Sequence, residues 1–408
     1  MTNADGSSPQ PREKTPTIQT FERIWNRSFI SVCLANTFVS IALQMCNVLI
    51  GKYTDSLGAT AAIVGMVSGA FAWAAIVFKL FSGPTIDALD RRYVVMAAMA
   101  VMGVAMVFYG VVGSVPELFA ARFLQGAGQA FSTTCFIAMA ADTLPREKMG
   151  TGLGFYALAA GIAQMVGPVV SLKVQAAYGY RPVFFIAALV MFAGILAASQ
   201  IKLPPRVVKK FKLTFNNIIA KEALIPAFLM ILLSGCYALV NPFLAIYSEQ
   251  QGVGSNISFF FSVYAALLFL TRPLSGKLAD RFGYAIIVPM LGIFIVSFWL
   301  ISVSTQLWMF LLAAVFFAFG YGGCQPVLQS MAMKLVPQER RGAGSSTNFI
   351  GSDLGNIIGP IIGGYIAQTL GYQAMWQIMS VALVVGIVTM LFLQKTINAR
   401  TTTMTNNQ

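Results

Sequence analysis

The chain has 408 residues, 57% hydrophobic and only 10% charged, with 27 Lys and Arg against 14 Asp and Glu. A soluble domain carries about 25% charged residues, and a mean hydropathy of +0.74 is too high to hide inside a water-soluble core; the composition reads as an integral membrane protein. There is no histidine, which excludes imidazole as proton carrier or metal ligand, and the five cysteines (Cys33, Cys46, Cys135, Cys236, Cys324) stand inside apolar stretches without metal-site spacing.

In chain order, residues 1–27 are polar and mixed in charge. They lack the layout of a cleaved signal peptide and read as a cytoplasmic tail. Six apolar stretches follow, at about 29–49, 61–81, 93–112, 118–141, 150–174 and 183–201. A basic linker, 202–222, opens with Pro204-Pro205 and carries the run Arg206 to Lys212. Six more apolar stretches lie at about 224–247, 257–274, 285–303, 307–333, 343–367 and 375–393, before a tail at 395–408. Each is near or above the ~20 residues that cross a bilayer as a helix. Helix is the required form, because no water is present to satisfy open backbone groups. The expected fold is therefore all-α, with twelve transmembrane helices in two bundles, 28–201 and 223–394.

An even number of crossings puts both termini on one side. Twenty of the 27 basic residues lie in tails and loops on that side, and only Lys52 and Arg181 lie in loops opposite. This bias makes the terminal side cytoplasmic. It also accounts for the net charge of +13 without nucleic acid. Lys79, Arg122, Lys173, Arg272 and Lys334 fall in or at the ends of the spans.

The two halves repeat. Lys79-Leu80-Phe81-Ser82-Gly83 matches Arg272-Pro273-Leu274-Ser275-Gly276, Gly167-Pro168 matches Gly359-Pro360, and Gly179-Tyr180-Arg181 matches Gly371-Tyr372-Gln373, at offsets of 192 or 193. Six spans per half give both halves the same orientation, a parallel repeat. Such halves hold a substrate site between them near the midplane, opened alternately to each side.

The turn from Gly276 to Gly283, Gly-Lys-Leu-Ala-Asp-Arg-Phe-Gly, has a weaker copy from Gly83 to Arg92. With these turns, the Arg122 to Ala130 segment and the glycine-proline segments, residues 29–393 resemble the major facilitator superfamily, and within it the twelve-span drug and metabolite efflux group. The resemblance implies that the turns latch one conformation, through Asp280 and Arg281 in one half and Asp87, Arg91, Arg92 and Asp142 in the other. The first copy departs from the pattern: Ala88 replaces a basic residue and Asp90 a glycine. Arg122-Phe123-Leu124-Gln125-Gly126 resembles the proton-coupling motif. An intramembrane arginine is costly unless paired or facing a cavity; Arg122 can bias an acid, bind an anion, or snorkel to the interface. The antiporter-like pattern is incomplete around Gly167 and Pro168, where Ala163, Ser171 and Leu172 break it, and complete from Gly355 through Gly359 and Pro360 to Gly364. Its glycines serve close helix packing.

Asp353 stands ten residues into its span, about 15 Å deep at helical rise. Burial there disfavours its charged form. Three roles are open: proton carrier, direct binder of a cationic substrate, or hydrogen-bond partner to Asn348, Asn356 or a neighbouring helix. Gln44, Asn47, Gln125, Gln129, Tyr156, Asn241, Tyr264, Tyr321 and Gln325 are the expected cavity lining, and their lack of charge suits an uncharged or amphipathic substrate. No Gly-Lys-Ser/Thr phosphate loop is present, so ATP is not the expected energy source. The reading is a non-enzymatic, cofactor-free secondary transporter acting as a monomer in a bacterial cytoplasmic membrane. Its partners are a small-molecule substrate, protons and the lipid bilayer. Export is favoured, with import by symport or facilitated diffusion as the alternative.

Overall fold

The computed structural model describes residues 24–145, 148–203, 219–337 and 340–406. Most of the expected N-terminal tail, and the linker from Pro204 to Ile218 with its basic run, lie outside them. The helices are α1 (Arg27–Ser56), α2 (Ala61–Ala88), α3 (Arg91–Val111), α4 (Val115–Asp142), α5 (Met149–Tyr178), α6 (Tyr180–Ala198), α7 (Leu224–Ala238), α8 (Val240–Gln250), α9 (Ser258–Phe282), α10 (Ile287–Val303), α11 (Leu307–Phe317), α12 (Gly323–Lys334) and α13 (Arg341–Asn406).

Local chemistry sets the ends. The Asn26 side chain caps α1 by accepting from the Phe29 amide at 2.8 Å, which satisfies one of the free first-turn donors. Asp90 caps α3 in the same way, accepting from the Arg92 amide at 2.9 Å. Its replacement of the expected turn glycine is thereby explained. Gly179 and Gly371, repeat partners, carry φ of 82° and 85°, a region open mainly to glycine. Each turns the chain between two helices with a single residue; α13 is in fact two helices bent at Gly371.

Nine helical stretches among the described residues are long and apolar enough to cross a membrane. Two of these run 50 and 53 residues, too long for one crossing, and turn at Gly283 and Gly371. The helix α4 is not among the nine; it carries Arg122, Gln125 and Gln129. Two apolar stretches are helical throughout but not uniformly α-helical. Leu239 separates α7 from α8, and Pro242 just beyond has no amide to offer the preceding turn. A π-helical turn, Ala318–Gly322, joins α11 to α12.

In the first half α1 packs on α5 and α6, α3 on α4 and α6, and α2 on α4; in the second α13 packs on α7 and α10. The halves meet chiefly through α2 with α13, α5 with α9, and α1 with α8. Large apolar side chains such as Leu189, Leu196 and Phe392 point outward, as lipid-facing residues do.

Gly355 and Gly359 of α13 lie against the backbone of α7. A Cβ at Gly355 would stand 2.5 Å from the Ile231 carbonyl oxygen, and one at Gly359 only 2.1 Å from that of Gly235. Backbone touches backbone along α7 and α13. Gly359→Ala is therefore expected to lower stability by about 1–3 kcal/mol through overpacking, read as a fall in the melting temperature of the purified protein. Gly167 packs α5 on α1, its Cβ position 2.7 Å from Gln44 Cβ.

Candidate transport site

A cavity of about 290 Å³ lies between the halves. Gln44 and Asn47 of α1, Ser68, Phe71 and Lys79 of α2, and Arg122, Gln129 and Thr133 of α4 form its first-half wall. Tyr237 at the end of α7, Asn241 and Pro242 of α8, and Asp353, Asn356 and Pro360 of α13 form the other. The junction of α7 and α8 at Leu239 thus lies beside the site, with Tyr237 and Ala238 on one side of it and Asn241 and Pro242 on the other.

Asp353 is not a lone carboxylate. Its Oδ2 accepts from Lys79 Nζ at 2.5 Å, across 274 residues of sequence and across the two halves. The proposed partner Asn348 donates instead to Gln329 at 2.6 Å. The lysine was visible as an intramembrane charge and as the repeat partner of Arg272, but its pairing depends on how α2 meets α13. Arg272 itself is exposed, so the two repeat positions serve different ends.

Arg122 does not snorkel. It is 4% exposed, and its Nη1 donates to Asn47 Oδ1 at 2.8 Å and to Gln125 Oε1 at 2.7 Å. The guanidinium stands 4.7 Å from the centre of the Phe71 ring, a favourable cation–π distance. The Tyr109 hydroxyl donates to the same Gln125 oxygen at 2.7 Å, which fixes the amide. Gln125 is therefore fully buried behind Arg122 rather than lining the cavity.

Of the other expected lining residues, Gln44, Asn47, Gln129 and Asn241 are in the wall. Tyr264 borders a smaller void shared with Gln44, Tyr237 and Asn241. Tyr321 stacks behind Tyr237, with ring centres 4.1 Å apart and planes 11° apart. Tyr156 donates to Asn36 at 3.0 Å, and Gln325 is half-buried; neither lines the cavity. Sequence position alone missed Lys79, Ser68, Phe71 and Thr133.

On the side away from the termini the halves meet closely. A Cβ at Gly65 would stand 2.0 Å from the Pro360 carbonyl oxygen, at Gly51 2.2 Å from that of Pro242, and at Gly364 2.4 Å from that of Ala61. Lys52 also bridges to Glu249 at 2.9 Å. Toward the termini, the Lys79 side chain in the cavity wall keeps 36% exposure. The cavity is thus closed on one side and approachable from the other.

Of the expected latch residues, Arg91 pairs with Asp142 and lies 3.7 Å from Asp87. Arg92 instead donates to the Ser199 carbonyl at the end of α6. Asp280 and Arg281 are exposed, with the Arg281 guanidinium 5.2 Å from the centre of the Phe282 ring.

A lipid-facing helical shell around a polar, charged cavity, sealed from one side, defines a membrane transporter. The chain belongs to the Major Facilitator Superfamily, whose family model matches residues 32–304 and 227–404. An uncharacterized MFS-type transporter of Methanocaldococcus jannaschii is 27% identical over 84% of this chain and 92% of its own. The staphylopine export protein of Staphylococcus aureus is 24% identical, covering 90% and 96%. Multidrug resistance protein MdtG of Escherichia coli is 26% identical, covering 86% and 90%. Among solved structures, a variant of the nucleoside transporter NupG superposes with a TM-score of 0.80 at 13% identity, over 90% of this chain and all of its own. A bacterial homologue of the lysosomal transporter Spinster, inward-facing and unoccupied, gives 0.73 at 16%, over 93% and 99%.

Proposed function

We propose that the protein exports small organic compounds by proton-coupled alternating access, crossing a bacterial cytoplasmic membrane twelve times with both termini inside. The carrying observation is the cavity between the halves, with the Lys79–Asp353 pair in its wall. The two efflux-named relatives favour the outward direction. Asp353 is the proton carrier in this reading. Ionised, it neutralises Lys79 and ties α2 to α13; protonated, it releases the lysine and loosens that tie. With both termini inside, as proposed, the contacts on the side away from them correspond to an inward-facing arrangement. The Asp87–Arg91–Asp142 cluster ties the α2–α3 turn to the end of α4, and so holds those helices as one moving body.

The test is transport in sealed inverted vesicles. An inside-acid pH gradient should drive substrate inward, opposite to the protons that leave, as export requires. Movement of substrate with the protons would mark an importer. Arg122→Ala is expected to remove gradient-driven transport in this assay while leaving the protein folded, and Arg122→Lys to keep part, since it retains charge but not the planar fork. Full activity of the alanine variant would remove Arg122 from the site's working parts.

A further inference from the structure

We propose that the substrate is an organic anion, a carboxylate or phosphonate on an apolar or aromatic body, and that Arg122 is its anchor; this rests on the transport reading in using the same cavity. The charges of the wall are Lys79, Arg122 and Asp353. Lys79 and Asp353 neutralise each other at 2.5 Å, which leaves the charge of Arg122 unmatched. Its partners are two neutral amides and a ring, Asn47, Gln125 and Phe71, and its Nε has no partner.

A buried charge is costly when its partners supply hydrogen bonds but no opposite charge. Asn47 and Gln125 orient the guanidinium without neutralising it, and the Tyr109 hydroxyl pins Gln125 in turn. The group is thus set in place before any ligand arrives. What it lacks is an anion, and its planar fork matches a carboxylate or phosphonate in two-point contact.

A cationic ligand would meet a wall of net positive charge whose single carboxylate is already taken. Phe71 lies eight residues before Lys79 on α2, about 12 Å along the axis, so the anchor and the ion pair sit at separate levels. Ala72, Ala75, Ala238 and Tyr237 give the intervening wall a small, apolar and aromatic surface suited to the body of such a compound. Of the two expected kinds of substrate, uncharged or amphipathic, the cavity favours the amphipathic one: the span charges are few, but the fold gathers three of them in its wall. An inside-negative membrane potential also pushes an anion outward, the direction proposed above.

The experiment measures binding without a gradient. Purified full-length protein in detergent is melted with benzoate, phenylphosphonate, benzamide or benzylammonium at equal concentrations. Benzoate and phenylphosphonate should raise the melting temperature in a concentration-dependent way, while benzamide and benzylammonium should not. Arg122→Gln should weaken benzoate at least about tenfold, the loss of a charge-assisted contact, and Arg122→Lys should lie between. Should Arg122→Gln fail to fold, the wild-type comparison of benzoate with benzamide and the Arg122→Lys variant decide. Equal binding of benzamide or benzylammonium, or unchanged benzoate affinity in Arg122→Gln, overturns the anion assignment. Neither outcome touches the export reading, which stands or falls in the vesicle assay.

Discussion

Asp353→Asn is expected to abolish proton-driven transport in sealed vesicles while passive exchange of substrate across the membrane continues. Asparagine keeps the shape of the carboxyl but cannot gain or lose a proton. Exchange needs only that the loaded carrier change faces, so it survives. The pairing with Lys79 adds a second consequence, because the variant leaves a lysine uncompensated between α2 and α13. Removing one partner of a buried pair costs several kcal/mol. With Lys79 36% exposed, water screens part of that charge, and a loss of about 1–2 kcal/mol is expected. The double variant Lys79→Gln with Asp353→Asn should recover the stability, since no unmatched charge remains, but not the coupling. This non-additivity, read in melting temperatures and in transport, separates the two roles of the carboxylate. Asp353→Glu should keep partial coupling. Accumulation that still follows the pH gradient in the asparagine variant would leave Asp353 as a structural partner only.

The repeat was legible because it is local chemistry written twice. Gly179 and Gly371 are turn glycines in both halves for one conformational reason, with matching φ. The α13 glycines were legible too, since residues four apart fall on one helix face, and that face meets α7 backbone. Depth along a span placed Arg122 and Asp353 as costly residues in need of company. What sequence could not supply was the company. Lys79 and Asp353 lie 274 residues apart, and nothing local to either specifies the other. Nor does helical periodicity say which face of α4 meets the cavity: Gln129 reaches it while Gln125 is buried beneath Arg122. The junction at Leu239 hides inside an apolar run, because hydropathy reads composition and not backbone hydrogen bonds.

The other large effect is expected at Gly65, where α2 meets α13. A Cβ there would stand 2.0 Å from the Pro360 carbonyl oxygen and 3.3 Å from Ile361 Cα, and backbone atoms cannot swing aside as a side chain can. Gly65→Trp is therefore expected to wedge the halves apart on the side away from the termini, and to reduce transport to near zero. Overpacking of this kind costs about 1–3 kcal/mol, occasionally more. The penalty falls only on the arrangement in which the two helices touch, so it biases the equilibrium between faces instead of weakening both. At about 3 kcal/mol that bias exceeds a hundredfold. The readout is a cysteine at Asn241, in the cavity wall, in a chain whose five native cysteines are replaced. On intact cells a membrane-impermeant thiol reagent should label it in the Gly65→Trp variant and spare it in the parent. Gly83 fronts open space, so Gly83→Trp should leave the present arrangement undisturbed and the cysteine protected. Equal labelling of parent and Gly65→Trp would show that this contact does not close the cavity. Gly65→Ala should give a graded version of the same shift, because its single methyl group meets the same carbonyl.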